Sequence, residues 1–128
     1  MNGLSLAYIG DSFYELQIRK YLVSKGITNV DKLHKSAIKY TSGIAQAHII
    51  KELINSEAIT QLEIEYFKKA RNASRTGKKN ISNKDYFLAT GFEGLIGKLV
   101  MDNDIKRVQE IIKQSITIIE RRGSEKLE

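Results

Sequence analysis

The 128-residue chain contains no cysteine and no proline. Without cysteine there is neither a disulfide framework nor a thiolate zinc site, a usage that suits a reducing compartment. Without proline, and with a good supply of Leu, Ile, Ala, Lys and Glu, the composition favours an all-helical fold over a sheet. No apolar run approaches the length needed to cross a bilayer and no signal-peptide pattern opens the chain. The expectation is therefore a soluble, cytoplasmic protein with no membrane partner. Its two histidines, His34 and His48, lie far apart and lack HExxH spacing, which argues against zinc. No serine sits in a GxSxG elbow. Gly97-Lys98 fails as a phosphate loop, because Phe92 stands where that motif needs glycine and Leu99 where it needs a hydroxyl. Repeats, low-complexity tracts and linkers are missing too, so the length reads as one domain with a single core.

The formal charge is +6, which suits a polyanionic partner such as nucleic acid or the ribosome. The chain is organised around its first apolar stretch, Leu4 to Leu16, where large residues recur at helical spacing: Leu6, Ile9 and Phe13 on one stripe, Tyr14, Ile18, Tyr21 and Leu22 on the next. Together these stripes predict a helix buried on nearly every side, with a second copy of the chain as cover for the remaining face. Asp11 stands among these apolar residues. Burying an unpaired charge costs several kcal/mol, so the aspartate needs a partner such as a cation. The adjacent Gly10 weakens the helix by roughly 1 kcal/mol relative to Ala, which a closely approaching backbone would explain.

Further along, Gly26 suits the left-handed residue that ends a helix, and Asn29 caps a segment carrying Val30, Leu33, Ala37 and Tyr40 on one face. Ser42 and Gly43 interrupt it, leaving one long helix or two with a bend. Thr60-Gln61-Leu62-Glu63 has capping-box form and starts a helix at Gln61 that runs toward Ala73. A loop follows, and Ser82 caps a helix through Tyr86, Phe92, Leu95, Ile96 and Leu99 that is apolar on most sides and so central. Gly91, Gly94 and Gly97 recur in it at every third position, as close helix packing requires. After Asp102-Asn103-Asp104, a one-faced amphipathic helix carries Ile105, Val108, Ile112, Ile116 and Ile119, and Arg121 to Glu128 reads as a frayed polar end.

Two features carry chemistry. Glu93 is a second isolated carboxylate, in a helix expected to cross the first at the centre of the domain. With Asp11 it offers two hard oxygen ligands for a magnesium ion, which binds few protein carboxylates and keeps waters for its substrate. Patterning by itself favours the plainer reading, in which each carboxylate reaches solvent or caps a neighbouring helix. The second feature is a stretch with seven basic residues and no acidic one: Lys68, Lys69, Arg71, Arg75, Lys78, Lys79 and Lys84. Interleaved serine, threonine and asparagine, Asn72 among them, make it a candidate for phosphate contacts, with a solvated basic loop as the alternative.

Leu6-Ala7-Tyr8-Ile9-Gly10-Asp11-Ser12-Phe13-Tyr14-Glu15 closely resembles the signature helix of ribonuclease III nucleases, with its Leu-Gly-Asp-Ala core. Ala89-Thr90-Gly91-Phe92-Glu93-Gly94-Leu95-Ile96-Gly97 resembles that family's second acidic motif, Phe-Glu-Ala-Leu-Ile-Gly. Chain order, helical context and the lack of an appended double-stranded-RNA-binding domain are similar to the short Mini-ribonuclease III branch. Full-length members carry a glutamate where this chain has Ala7 and an aspartate where it has Thr90, so the metal site is thinned to Asp11 and Glu93. Glu15 matches the family pattern without an assigned role.

The resemblance implies an all-α, ribonuclease III-like catalytic domain over residues 1–122 with a polar tail at 123–128, forming a homodimer through the signature helix. Tyr8 falls where family members insert an aromatic side chain into the partner subunit, and Ser12 lies one turn on. The implied activity is magnesium-dependent cleavage of double-stranded RNA, in particular the stem of the 23S ribosomal RNA precursor, with a large-subunit ribosomal protein as a further candidate partner. Asp11 and Glu93 would be catalytic and metal-binding. The RNA-binding set would be Lys68, Lys69, Arg71, Asn72, Arg75, Lys78, Lys79 and Lys84. Two other classes stay open: a helix-turn-helix DNA binder built from Ala37 to Ile54, and a degenerate nuclease acting in ribosome assembly, suggested by Ala7 and Thr90.

Overall fold

The structure is a computed structural model that describes residues 1–74 and 82–127. Those residues form six helices: α1 (Gly3–Ser24), α2 (Val30–Thr41), α3 (Gly43–Asn55), α4 (Gln61–Ala73), α5 (Asn83–Met101) and α6 (Ile105–Leu127). Local chemistry sets their ends. Asn2, Asn29, Ser42, Thr60 and Ser82 each accept a hydrogen bond from a first-turn backbone N–H through their side chains, and Thr60 with Glu63 completes the expected capping box. Gly26 ends α1 at φ +90°, a conformation that glycine adopts without a Cβ penalty. At the α2–α3 junction the open choice resolves as two helices. Ser42 has extended backbone, its N–H closes α2 on Ile38, and its hydroxyl accepts from Ala45 N–H to start α3.

α5 is the central element, with Ala89 to Phe92, Gly94 to Gly97 and Leu99 all buried. It packs across α1, against α4, and on α3. At the α1/α5 crossing the two backbones touch. A Cβ on Gly10 would stand 1.7 Å from the Glu93 carbonyl oxygen, and one on Gly97 would stand 1.8 Å from the Leu6 carbonyl oxygen. No side chain fits in either place, which accounts for glycine within two helices at some cost in propensity.

α1 departs from its expected all-round burial. Leu6, Ala7, Gly10, Tyr14, Ile18 and Leu22 face the core, whereas Leu4, Tyr8 and Leu16 are exposed, Tyr8 at 77%. Apolar residues therefore lie on both faces of this helix, and the single chain covers one of them. The C-terminal end also differs: α6 continues to Leu127, past the point where the polar residues suggested fraying.

Polar ties fasten the outer elements. Tyr14, fully buried against Phe92 in an edge-to-face contact at 5.1 Å, donates its hydroxyl to the Tyr40 carbonyl at 2.8 Å and so anchors the end of α2. Burial pushes the Tyr14 phenol well above its ordinary range. Arg107 of α6 grips Glu63 of α4 through two bonds of 2.8 Å and also donates to the Ala58 carbonyl at 3.0 Å. The Arg107 guanidinium outweighs desolvation and holds the Glu63 carboxyl below its ordinary range. Glu120 accepts from the Tyr21 hydroxyl and from the Tyr40 hydroxyl at 2.9 Å, joining α6 to α1 and α2.

Candidate active site

Contact between Gly10 and the Glu93 carbonyl sets the next residue on one helix beside the acidic residue on the other. Asp11 and Glu93 line one cleft of about 500 Å³, together with Thr41, Ser42, Gly43, Ile44, Gln46, Tyr86, Ala89 and Thr90. The sequence-derived pair is thus brought together although its members belong to opposite ends of the chain. Their surroundings differ from the expectation in one respect. Asp11 is exposed, not buried among apolar groups, because an advance of one residue from the inward-facing Gly10 turns the side chain by roughly 100° around the helix. Glu93 is half-buried.

Part of the cleft lining is built by the α2–α3 junction. Ser42 and Gly43 bring the positively polarised start of α3 to the cleft. Gln46, one turn on, donates from Nε2 to Glu93 Oε2 at 3.3 Å and to the Thr41 carbonyl at 3.2 Å. Sequence reading missed Gln46. Its signal was present, since it lies on the stripe of Ile49, Ile50 and Leu53 and is a polar residue on a buried face. Positions 7 and 90 add no carboxylate: Ala7 is buried, and the Thr90 hydroxyl donates to the Tyr86 carbonyl at 3.0 Å. Among the described residues no group of three or more His, Cys, Asp or Glu is placed to hold a metal. Two carboxylates and a neighbouring amide form the oxygen-rich set that is present.

Asp11 and Thr41 also border a neighbouring groove with Ser12, Glu15, Leu16 and Arg19. Glu15 is paired there with Arg19 at 3.1 Å. A further groove, of about 590 Å³ between α1 and α6, is lined by Lys20, Tyr21, Lys113 and Glu120 among others. Its carboxylate is already engaged by Tyr21 and Tyr40, so the chemistry is assigned to the cleft of Asp11 and Glu93.

Among the described residues, the basic candidates Lys68, Lys69, Arg71 and Lys84 are not part of that cleft lining. Lys68 pairs with Glu65 at 3.8 Å, and exposed Lys69 donates to the Met1 carbonyl at 3.2 Å. Arg71 stacks on Phe67 at 5.3 Å and donates to Asn72, while Lys84 is exposed in the first turn of α5. Arg75, Lys78 and Lys79 lie outside the described residues. On α1, Tyr8 and Ser12 share the exposed face, with the Ser12 hydroxyl 3.5 Å from the Tyr8 carbonyl.

Among the described residues, six helices with two acidic residues lining one cleft beside a glycine-lined crossing fit the resemblance to ribonuclease III nucleases. A family model for the Ribonuclease III domain matches residues 4–104. The Mini-ribonuclease 3 of Acholeplasma laidlawii is 44% identical over 96% of this chain and 98% of its own. That of Clostridium tetani is 45% identical over 94% and 80%, and that of Streptococcus pneumoniae 37% identical over 94% of each. The crystal structure of a Fusobacterium nucleatum protein superposes with a TM-score of 0.81 at 28% identity, covering 91% of this chain and 93% of that one. The chain belongs to the ribonuclease III family, in its Mini-ribonuclease 3 group, and is an endoribonuclease. The helix-turn-helix alternative falls with this. The relatives that match over nearly the whole chain are ribonucleases, which supports the endoribonuclease over the degenerate reading.

Proposed function

We propose that this endoribonuclease cleaves double-stranded RNA at the cleft of Asp11 and Glu93, which hold a magnesium ion, and that its natural substrate is the stem of the 23S ribosomal RNA precursor. The observation that carries the reading is the convergence of the two carboxylates in one cleft, at the point where the α1 and α5 backbones touch. The donor set fits the ion, since hard carboxylate oxygens suit magnesium and an unpartnered amide oxygen, that of Gln46, is at hand for a water. A bound magnesium ion supplies charge neutralisation at the scissile phosphate and a water activated for in-line attack. Asp11, on the exposed turn, and Glu93, anchored by Gln46, fix where that ion sits. Hydrolysis then leaves a 5′-phosphate and a 3′-hydroxyl, and no side chain serves as nucleophile.

Duplex RNA has a deep major groove closed to side chains, so recognition runs through shape, phosphates and 2′-hydroxyls. Lys68, Lys69, Arg71, Asn72, Arg75, Lys78, Lys79 and Lys84 supply phosphate contacts in this reading. The exposed face of α1, with Leu4, Tyr8, Ser12 and Leu16 at four-residue spacing, pairs with a second copy, so that two cleft centres act on the two strands. Residues 1–122 are the catalytic domain and 123–128 its tail. A large-subunit ribosomal protein is the candidate accessory partner, and the cytoplasm the place of action.

Incubation with duplex RNA and magnesium, with and without chelator, tests the reading. Cleavage should need the ion, and Glu93→Gln should abolish cutting while leaving RNA binding and folding in place. Cutting at full rate by Glu93→Gln would remove the metal assignment. Replacing Lys78 and Lys79 by alanine should weaken binding and flatten the slope of log affinity against log salt by about one to two units. An unchanged slope would clear them of phosphate contact.

A further inference from the structure

Gln46 meets the cleft with its two amide ends in opposite situations. The residue is 2% exposed. Both Nε2 protons are used, one on the Thr41 carbonyl at 3.2 Å and one on Glu93 Oε2 at 3.3 Å. Turning the amide over would set Oε1 against those same two oxygens, so the neighbours fix its orientation. Oε1 is then buried and accepts no hydrogen bond from the protein. Buried polar atoms are paired in the great majority of cases, and an exception beside a catalytic pair points to a bound water or ligand.

We propose that Gln46 is a positioning residue of the metal centre: its Nε2 holds the Glu93 carboxylate in the ion-binding orientation, and its Oε1 accepts a hydrogen bond from a water kept by the magnesium ion. The inference rests on the metal reading above and deepens it. Magnesium held by one or two carboxylates retains several waters, each a strong proton donor, and the open lone pairs of Oε1 are complementary to such a donor. A neutral amide suits this place. It adds an acceptor without adding a third negative charge, in a site where Ala7 is buried and the Thr90 hydroxyl is spent on a backbone carbonyl. Groups that orient metal ligands in this way typically matter by 10- to 100-fold in metal affinity or activity, roughly the size expected here.

The test uses the full chain and Mn²⁺ as probe, with the free ion counted by electron paramagnetic resonance. Gln46→Met, similar in length and without either hydrogen-bonding end, should bind Mn²⁺ about 10- to 100-fold more weakly. Its affinity for duplex RNA in chelator should be unchanged. With saturating Mg²⁺ its kcat per folded molecule, the folded fraction being counted by RNA-binding titration in chelator, should fall while KM for RNA stays; a defect that only lowers the folded fraction would leave that normalised kcat unchanged. Mn²⁺ binding equal to that of the unsubstituted protein would overturn the proposal. Glu93→Gln, run in parallel, separates the two possible failures. If it loses Mn²⁺ while Gln46→Met keeps it, the role of Gln46 is wrong and the metal reading stands; if both keep it, the metal reading itself fails. Should Gln46→Met not fold, the side-chain amide of Gln46 in the unsubstituted protein is followed by ¹H–¹⁵N spectroscopy during a Mg²⁺ titration. A saturable shift supports the proposal, and a resonance unmoved at Mg²⁺ concentrations that sustain full cleavage overturns it.

Discussion

The α1/α5 crossing and the α4/α6 junction are built by opposite means. At the crossing, side chains are removed until one backbone lies on another, Gly10 against Glu93 and Gly97 against Leu6. At the junction, long polar side chains reach across, Arg107 to Glu63 and to the Ala58 carbonyl. Backbone contact leaves no rotamer to adjust, so it fixes the relative position of residues 11 and 93 as tightly as the helices themselves are fixed. A guanidinium bridge tolerates small shifts, and a junction that only fastens an outer helix needs no more. Rigidity is concentrated where the two carboxylates line one cleft.

Four substitutions break or sharpen this contrast. The largest effect belongs to Gly10→Ala. A Cβ 1.7 Å from a backbone oxygen cannot be accommodated without parting the helices, so the expected loss is at least about 3 kcal/mol of stability, read by denaturant unfolding, and cleavage should fail even in the folded fraction. Near-normal stability with full cleavage would show the crossing to be looser than described. Arg107→Ala leaves the Glu63 carboxylate buried without its partner and should cost about 3 kcal/mol, yet cleavage per folded molecule should be unchanged. A fall in kcat at full folding would deny the separation of the two regions.

The same pair dictates a response to acid. Because Arg107 holds the Glu63 carboxyl below its unfolded value, the stabilisation is complete at neutral pH and is lost as pH falls from about 4 through the lowered folded value. The stability gap between the unsubstituted protein and Arg107→Ala should therefore narrow in acid; a constant gap from pH 7 to pH 3 would contradict the assignment.

Glu120→Gln should have a smaller effect, about 1 kcal/mol, since it keeps an acceptor for Tyr21 and Tyr40 and loses the charge that Lys25 faces at 3.5 Å. Smallest in folding terms is Tyr8→Asp, on the exposed face of α1. It should leave the chain's own unfolding within about 0.5 kcal/mol while shifting sedimentation from dimer to monomer. Sedimentation unchanged by the substitution would remove Tyr8 from the proposed interface.

Much of this was readable beforehand because it is local. Capping residues, the capping box at Thr60 and the left-handed Gly26 act within a few residues of themselves, and the helix bounds follow. The glycines of α5 announced close packing by their spacing, though not against which atoms. Pairings across the chain were harder. Periodicity tells which face of a helix is apolar, but not whether the same chain covers it, so α1 read as wholly buried when Leu4, Tyr8 and Leu16 are exposed. Asp11 read as a buried charge for the same reason. Gln46 sits in its stripe as one polar residue among apolar ones, and only the position of Glu93, carried in by another helix, gives it a purpose.

The central claim is that Asp11 and Glu93 share one divalent ion, and crystals soaked in Mn²⁺ test it most directly by anomalous diffraction. The account predicts a peak lying between the two carboxylates, with oxygen distances of about 2.0–2.3 Å. Protein that cuts duplex RNA in the same Mn²⁺ solution but shows its anomalous peak away from both residues would contradict it.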